Sequence, residues 1–139
     1  MKTIHVAAAI IARNGRIFAT RRGYGPFKDG WEFPGGKLEK GETPEEALRR
    51  EIREELGVSV RVGKLFDTVE YDYPEFHLSM QCFFCAITAG EPILLEHEDA
   101  CWLTPGRLGT LDWLPADLAL IRKLETLDES LINPKEDIV

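Results

Sequence analysis

Thr43 to Gly57 is the stretch that most limits what this chain can become. Thr43 offers a hydroxyl to cap a helix, Pro44 suits the first helical position, and Glu46 three residues on completes a capping box. Gly57 supplies a left-handed stop, and Val58 the apolar contact that accompanies one. Within this helix Leu48, Ile52 and Leu56 form an apolar stripe, so one side must pack on something larger. Glu51, Glu54 and Glu55 lie within one arc of about 100° beside that stripe. Like charges at this spacing repel, and a merely solvated acidic face belongs opposite the apolar stripe. Clustered carboxylates next to a buried face, with the glycine-rich Pro34-Gly35-Gly36 leading in as a loop, suit a hard cation such as Mg²⁺. That ion takes oxygen ligands and keeps room for water and phosphate oxygens.

The rest of the chain provides the surface the helix needs. Ile4 to Arg13 is apolar on both alternating sets, the pattern of a central strand covered on two faces. Asn14-Gly15 then predicts a tight turn, and Ile17 to Arg22 a returning strand. Gly23 to Gly30, with Tyr24, Phe27 and Lys28, is a loop: either a lip over a ligand or ordinary surface. Strands are expected at about 59–70, 76–88 and 99–103, the second carrying Phe76, Leu78, Met80, Cys82 and Phe84 on one face. A Pro/Gly-rich loop leads to a last helix from about Asp117 to Leu127, with Leu118, Ile121 and Leu124 on one side. Two helices on a mixed sheet make one α/β domain over residues 1–127, followed by a loosely ordered tail at 128–139.

Charge narrows the ligand. The formal net charge of −7, from 17 Lys and Arg against 24 Asp and Glu, argues against gripping a nucleic-acid polymer. An anionic small molecule would need a cation between itself and this protein. The apolar run Ile4 to Ala12 reads as a strand entering a hairpin, and nothing approaches the roughly 20 apolar residues of a membrane helix. Three cysteines, an odd number, favour a reducing cytoplasm. Cys82 and Cys85 would point to opposite faces of their strand, as small buried hydrophobes and not as a metal pair.

Gly36, Glu42 and the run Arg50-Glu51-Ile52-Arg53-Glu54-Glu55-Leu56-Gly57-Val58 match the Nudix box GX5EX7REUXEEXGU at every fixed position. On that motif the chain resembles the Nudix hydrolases. The resemblance implies an α/β/α sandwich around a central mixed sheet, and Mg²⁺ as cofactor with Mn²⁺ as a substitute. It implies that Glu51, Glu54 and Glu55, with the Gly36 carbonyl, hold the metal, and that Arg50 orients the cluster through Glu42 and the helix carboxylates. An additional glutamate serves as base or ligand: Glu96, six residues before Trp102, fits best, with Glu98 the alternative and Glu51 a second candidate for taking the proton.

Ala7 to Ile11, Thr20-Arg21-Arg22, Trp31 to Lys37 and Leu114 to Asp117 also resemble the MutT branch. That implies hydrolysis of a nucleoside triphosphate to monophosphate and pyrophosphate, on 8-oxo-dGTP or (d)CTP-type nucleotides. Metals would neutralise phosphate oxygens, lower the pKa of the attacking water and stabilise the leaving group. Hydrolysis of ADP-ribose or another nucleoside diphosphate derivative is the enzymatic alternative, since Pro74 stands at a spacing from the box that both groups share. A non-catalytic nucleotide-binding module is a third reading, against which the intact glutamate cluster stands. Arg22 and Lys37 are candidate phosphate contacts or surface and ion-pair residues, and Phe33 packs near the base or in the core. Phe76 replaces an arginine that helps MutT hold its nucleotide. Asp117 matches a MutT asparagine: ionised, it would only accept hydrogen bonds and so favour bases that donate, unless it is simply an N-cap. A monomer and a homodimer are both compatible with the sequence.

Overall fold

A computed structural model describes residues 1–127, so the tail expected at 128–139 lies outside the described residues. The strand apolar on both sides, β1 (Thr3–Arg13), is central to the sheet. On one edge it runs parallel to β6 (His77–Ala89), from Thr3 opposite His77 to Ile11 opposite Cys85. β6 in turn pairs antiparallel with β5 (Ser59–Asp72).

The other edge of β1 is divided. Val6 to Ala8 pair with β4 (Gly35–Lys37), whereas Ala12 and Arg13 pair with β2 (Arg16–Arg22). The turn between β1 and β2 places Asn14 at φ 53° and Gly15 at φ 77°, the doubly left-handed geometry that Asn-Gly favours. β2 also carries β3 (Trp31–Glu32) and β7 (His97–Leu103), completing a mixed sheet.

Alternation along β1 sends successive residues into two cores. Ala7, Ala9 and Ile11 meet Leu48, Ile52 and Leu56 of α1 (Pro44–Leu56), all fully buried. Burying each of those three helix side chains contributes roughly 1.5–3 kcal/mol. Ala8, Ile10 and Ala12 face the opposite layer, with Leu120, Ile121 and Leu124 of α2 (Leu118–Glu125). The result is an α/β/α sandwich. Cys82 and Cys85 fall in opposite cores, and burial pushes the Cys85 thiol up to about 12. Among the described residues no helix is long and apolar enough to cross a membrane.

Three local expectations need correction. Leu118 is exposed, because α2 starts there and turns Leu120, with Ile121 and Leu124, toward the sheet. Pro34-Gly35-Gly36 is not a free loop: Gly35 to Lys37 form a strand. Gly35, at φ 152°, passes so close to the Ala7 carbonyl that a Cβ would strike it, which excludes any larger residue. The Pro/Gly-rich stretch after β7 contains a 3₁₀ turn, Pro105–Thr110.

Candidate active site

The capping box holds α1 as its residues require. Thr43 Oγ1 accepts from the Glu46 N–H at 3.1 Å, Glu46 Oε1 accepts from the Thr43 N–H at 2.9 Å, and Gly57 ends the helix at φ 68°. Successive residues rotate by about 100°, so Glu55 lies on the edge of the apolar stripe and Glu54 on the far side of Glu51. Glu55 is therefore buried at 5% exposure, while the Glu54 side chain is largely in solvent.

Arg50 binds this cluster together. Its Nε and Nη2 donate to the two Glu42 oxygens at 2.8 and 3.0 Å, its Nη1 to Glu51 Oε1 at 2.7 Å, and Nη2 also to the Lys37 carbonyl at 3.1 Å. Glu54 Oε2 is the most distant of these partners, 3.4 Å from Nη1. The paired guanidinium holds the Glu42 carboxyl down at about 2.

Glu51, Glu55, Glu96 and His97 line one cavity of about 280 Å³. The structure brings Glu51, Glu55 and Glu96 together there but not Glu54, which lines neither this cavity nor its neighbour. Burial first, then the Glu51 carboxyl and the Glu96 charge, push Glu55 up to about 10. Carboxyls crowded together in this way repel one another, and a bound cation would relieve them. Their hard oxygen donors fit a small divalent cation, which Glu51 and Glu55 would hold with Glu96 facing it across the cavity. Gly36 fits the same site, since a Cβ there would lie 2.5 Å from the Glu51 carboxyl carbon. Among the described residues no three His, Cys, Asp or Glu side chains already stand close enough together to share one ion.

Glu96 and Glu98 differ sharply in surroundings. Glu96 faces the cavity, accepting from the Tyr24 hydroxyl at 3.3 Å. Glu98 is engaged by Arg21 at 2.8 Å and Lys28 at 3.8 Å and lines neither cavity.

A second cavity of about 410 Å³ adjoins the first, sharing Arg22, Pro26, Glu32 and Gly35 as walls. Its lining is largely apolar and aromatic. Phe33 is at once core and wall, packed on Trp113 with ring centres 4.8 Å apart. Tyr73 stacks on Phe76 at 5.1 Å and meets Phe27 at 5.3 Å. The Tyr73 hydroxyl accepts from the Ala116 N–H at 3.3 Å, tying the β5–β6 turn to the segment before α2. Lys37 is exposed at the rim. Arg22 is an ion-pair residue, donating to both Glu32 oxygens at 2.7 and 3.1 Å, yet it stands where the cavities meet.

Asp117 overturns both premises under which it was read. It makes no side-chain capping hydrogen bond, and its backbone is already helical. Burial, reinforced by the Glu32 charge, pushes its carboxyl up to about 8, so near neutral pH it is mainly the acid, able to donate as well as accept. It lines the aromatic cavity at 4% exposure.

Sequence reasoning missed Glu32, Tyr73, Trp113 and His97 as lining or supporting residues. His97 sits between two glutamates in a charged stretch that reads as solvent-facing. Only pairing with β2 turns it inward: the ladder runs from Arg21 opposite Asp99 to Arg22 opposite His97, a bulge that leaves Glu98 unpaired. Burial lowers the affinity of His97 for a proton.

Residues 1–124 match the NUDIX domain model. The chain is 37% identical over 129 residues to an 8-oxo-dGTP diphosphatase of Escherichia coli (strain K12), across 91% of this chain and 100% of that protein. It is 32% identical over 140 residues to a CTP pyrophosphohydrolase of the same organism, across 91% of this chain and 95% of the relative. The solution structure of the E. coli ORF135 protein superposes with a TM-score of 0.77 at 33% identity, covering 88% of each chain.

Proposed function

The chain belongs to the NUDIX family, and from that premise we propose a nucleoside triphosphate pyrophosphohydrolase that releases monophosphate and pyrophosphate from 8-oxo-dGTP or (d)CTP-type nucleotides. It is a hydrolase of diphosphate bonds, and like its family it uses a divalent cation. Mg²⁺ is the cation we assign, with Mn²⁺ able to replace it, because the donors are carboxylates. The observation that carries the reading is the pair of adjoining cavities, one acidic and one aromatic, with Arg22 at their junction. A polyphosphate on its cation suits the first, and a base suits the second.

When bound, the cation would neutralise phosphate oxygens and lower the pKa of a water. Glu51 and Glu55, which line the cavity, and Glu54, which lies beside them on the helix but outside it, are the assigned metal side chains; the Gly36 carbonyl is assigned as a further ligand, the Cα of Gly36 standing next to the Glu51 carboxyl. Arg50 keeps Glu51 fixed through a guanidinium already anchored on Glu42. Glu96, which faces the cavity and pairs with no basic side chain among the described residues, takes the proton from water; Glu51 is so held by Arg50 that it serves less well. Arg22 and Lys37 meet phosphate oxygens, while Phe33 with Tyr73 and Phe76 walls the base. Asp117, as a neutral acid, both donates to and accepts from the base edge, much as an amide does. Residues 1–127 act as one domain, and three free cysteines suit a reducing cytoplasm.

The test is a panel of dCTP, 8-oxo-dGTP, dGTP, dTTP and ADP-ribose with Mg²⁺, monitoring pyrophosphate and phosphate. Pyrophosphate in equal amount with monophosphate, fastest for dCTP or 8-oxo-dGTP, is expected. Release of phosphate alone, or turnover confined to ADP-ribose, overturns the proposal.

A further inference from the structure

Buried deeper than Glu96, the side chain of His97 is only 7% exposed, as is that of Glu55 opposite it. His97 Nε2 lies 3.4 Å from Glu55 Oε1, and its Nδ1 is buried with no hydrogen-bond partner among the described residues. The backbone just before it grips the same turn of α1. Leu95 N–H donates to the Glu55 carbonyl at 3.1 Å, and Ile93 N–H to the Leu56 carbonyl at 2.9 Å. Segment 93–97 thus meets the end of α1 at three points, two through backbone and one through imidazole. The bulge in the β2–β7 ladder is what aims that ring inward.

We infer that His97 is a positioning residue whose Nε2–H holds the Glu55 carboxylate in the orientation that receives the divalent cation. This rests on Glu55 being a metal ligand, the reading given above. A carboxylate serving a cation can only accept, so Nε2 must carry the proton and Nδ1 is left bare. Such outer hydrogen bonds fix the ligand's orientation, and distances that are long without the metal tighten when it binds. The Nε2 to Glu55 gap is of that kind.

Gln and Asn separate the two ring nitrogens. A glutamine amide stands about where Nε2 does, and an asparagine amide about where Nδ1 does. Mn²⁺ binding is measured by electron paramagnetic resonance without nucleotide, in the parent, His97→Asn, His97→Gln and Glu55→Gln, with thermal melting of each. His97→Asn should weaken Mn²⁺ binding by about 10- to 100-fold, and His97→Gln should regain most of it. Parent-like binding in His97→Asn, or equal losses in both histidine variants, overturns the inference. If Glu55→Gln binds Mn²⁺ like the parent, the ligand assignment itself has failed, a distinct result. Should His97→Asn not fold, the ¹⁵N spectrum of His97 in the Mg²⁺-loaded parent decides. The Nε2–H tautomer is expected, and an Nδ1–H tautomer overturns the assignment.

Discussion

Two carboxylates two positions apart, Glu96 and Glu98, differ only in what their neighbours do to them. Glu98 is held by Arg21 and Lys28, whereas among the described residues the Glu96 side chain is hydrogen-bonded only by a tyrosine hydroxyl and faces the acidic cavity. Glu96→Gln should therefore lower kcat at saturating substrate by roughly 10²- to 10⁴-fold, the usual contribution of a positioned base. Glu98→Gln should change kcat only a few-fold, and the reverse order in steady-state kinetics would exchange the two roles. Asp117 is governed by burial in the same way. Because its carboxyl is pushed up to about 8, Asp117→Asn should leave the kcat/KM ratio of dCTP to dTTP nearly unchanged at pH 7. Above pH 8 the parent ionises and turns against the acceptor O4 of thymine, so its ratio should rise while that of the variant stays flat. Ratios measured at pH 7 and 9 in both proteins check this.

At the scale of the element, α1 owes its stability to caps that are separate from its chemistry. Thr43→Ala removes the hydroxyl that accepts from Glu46 N–H, without touching either cavity. The expected loss is about 1 kcal/mol, seen as a fall of a few degrees in melting temperature with kcat retained at saturating Mg²⁺. A large drop in kcat instead would mean that the first turn of the helix governs how the carboxylates are presented. The end of the helix is different in kind, because the segment before β7 hydrogen-bonds its last carbonyls and carries Glu96 in the next positions. The proposed base and the proposed ligands therefore move as one body.

Over the whole molecule, the acidic cavity lies beside the divided edge of β1, where β4 and β2 part and α1 covers one side. Burying carboxyls there and in the adjoining aromatic cavity makes stability depend on pH. The folded protein raises Glu55 from its ordinary 4.5 to about 10 and Asp117 from 3.8 to about 8, so it binds more protons than the unfolded chain between those limits. Stability of the metal-free protein should thus fall as pH rises through these windows. Glu55→Gln should make the fall shallower by about one proton's worth between pH 6 and 8, a window that lies inside the Glu55 limits and below the range where the buried thiols of Cys82 and Cys85 begin to matter. Mg²⁺ at about 100 times its dissociation constant should add roughly 2.7 kcal/mol at alkaline pH to the parent and less to the variant. Melting curves across pH with and without Mg²⁺ measure both, and a parent indifferent to pH would remove the buried-carboxyl account. The capped helix, its three glutamates, the Asn-Gly turn and the two-sided central strand were legible in the sequence because each is a local pattern, set by spacing along one element. Nothing local shows that Glu55 is buried and Glu54 is not, that Asp117 is a neutral acid and no cap, or that a bulge turns His97 inward. Those outcomes depend on which residues from distant strands and loops close over each group and exclude water from it, and only the tertiary structure decides that.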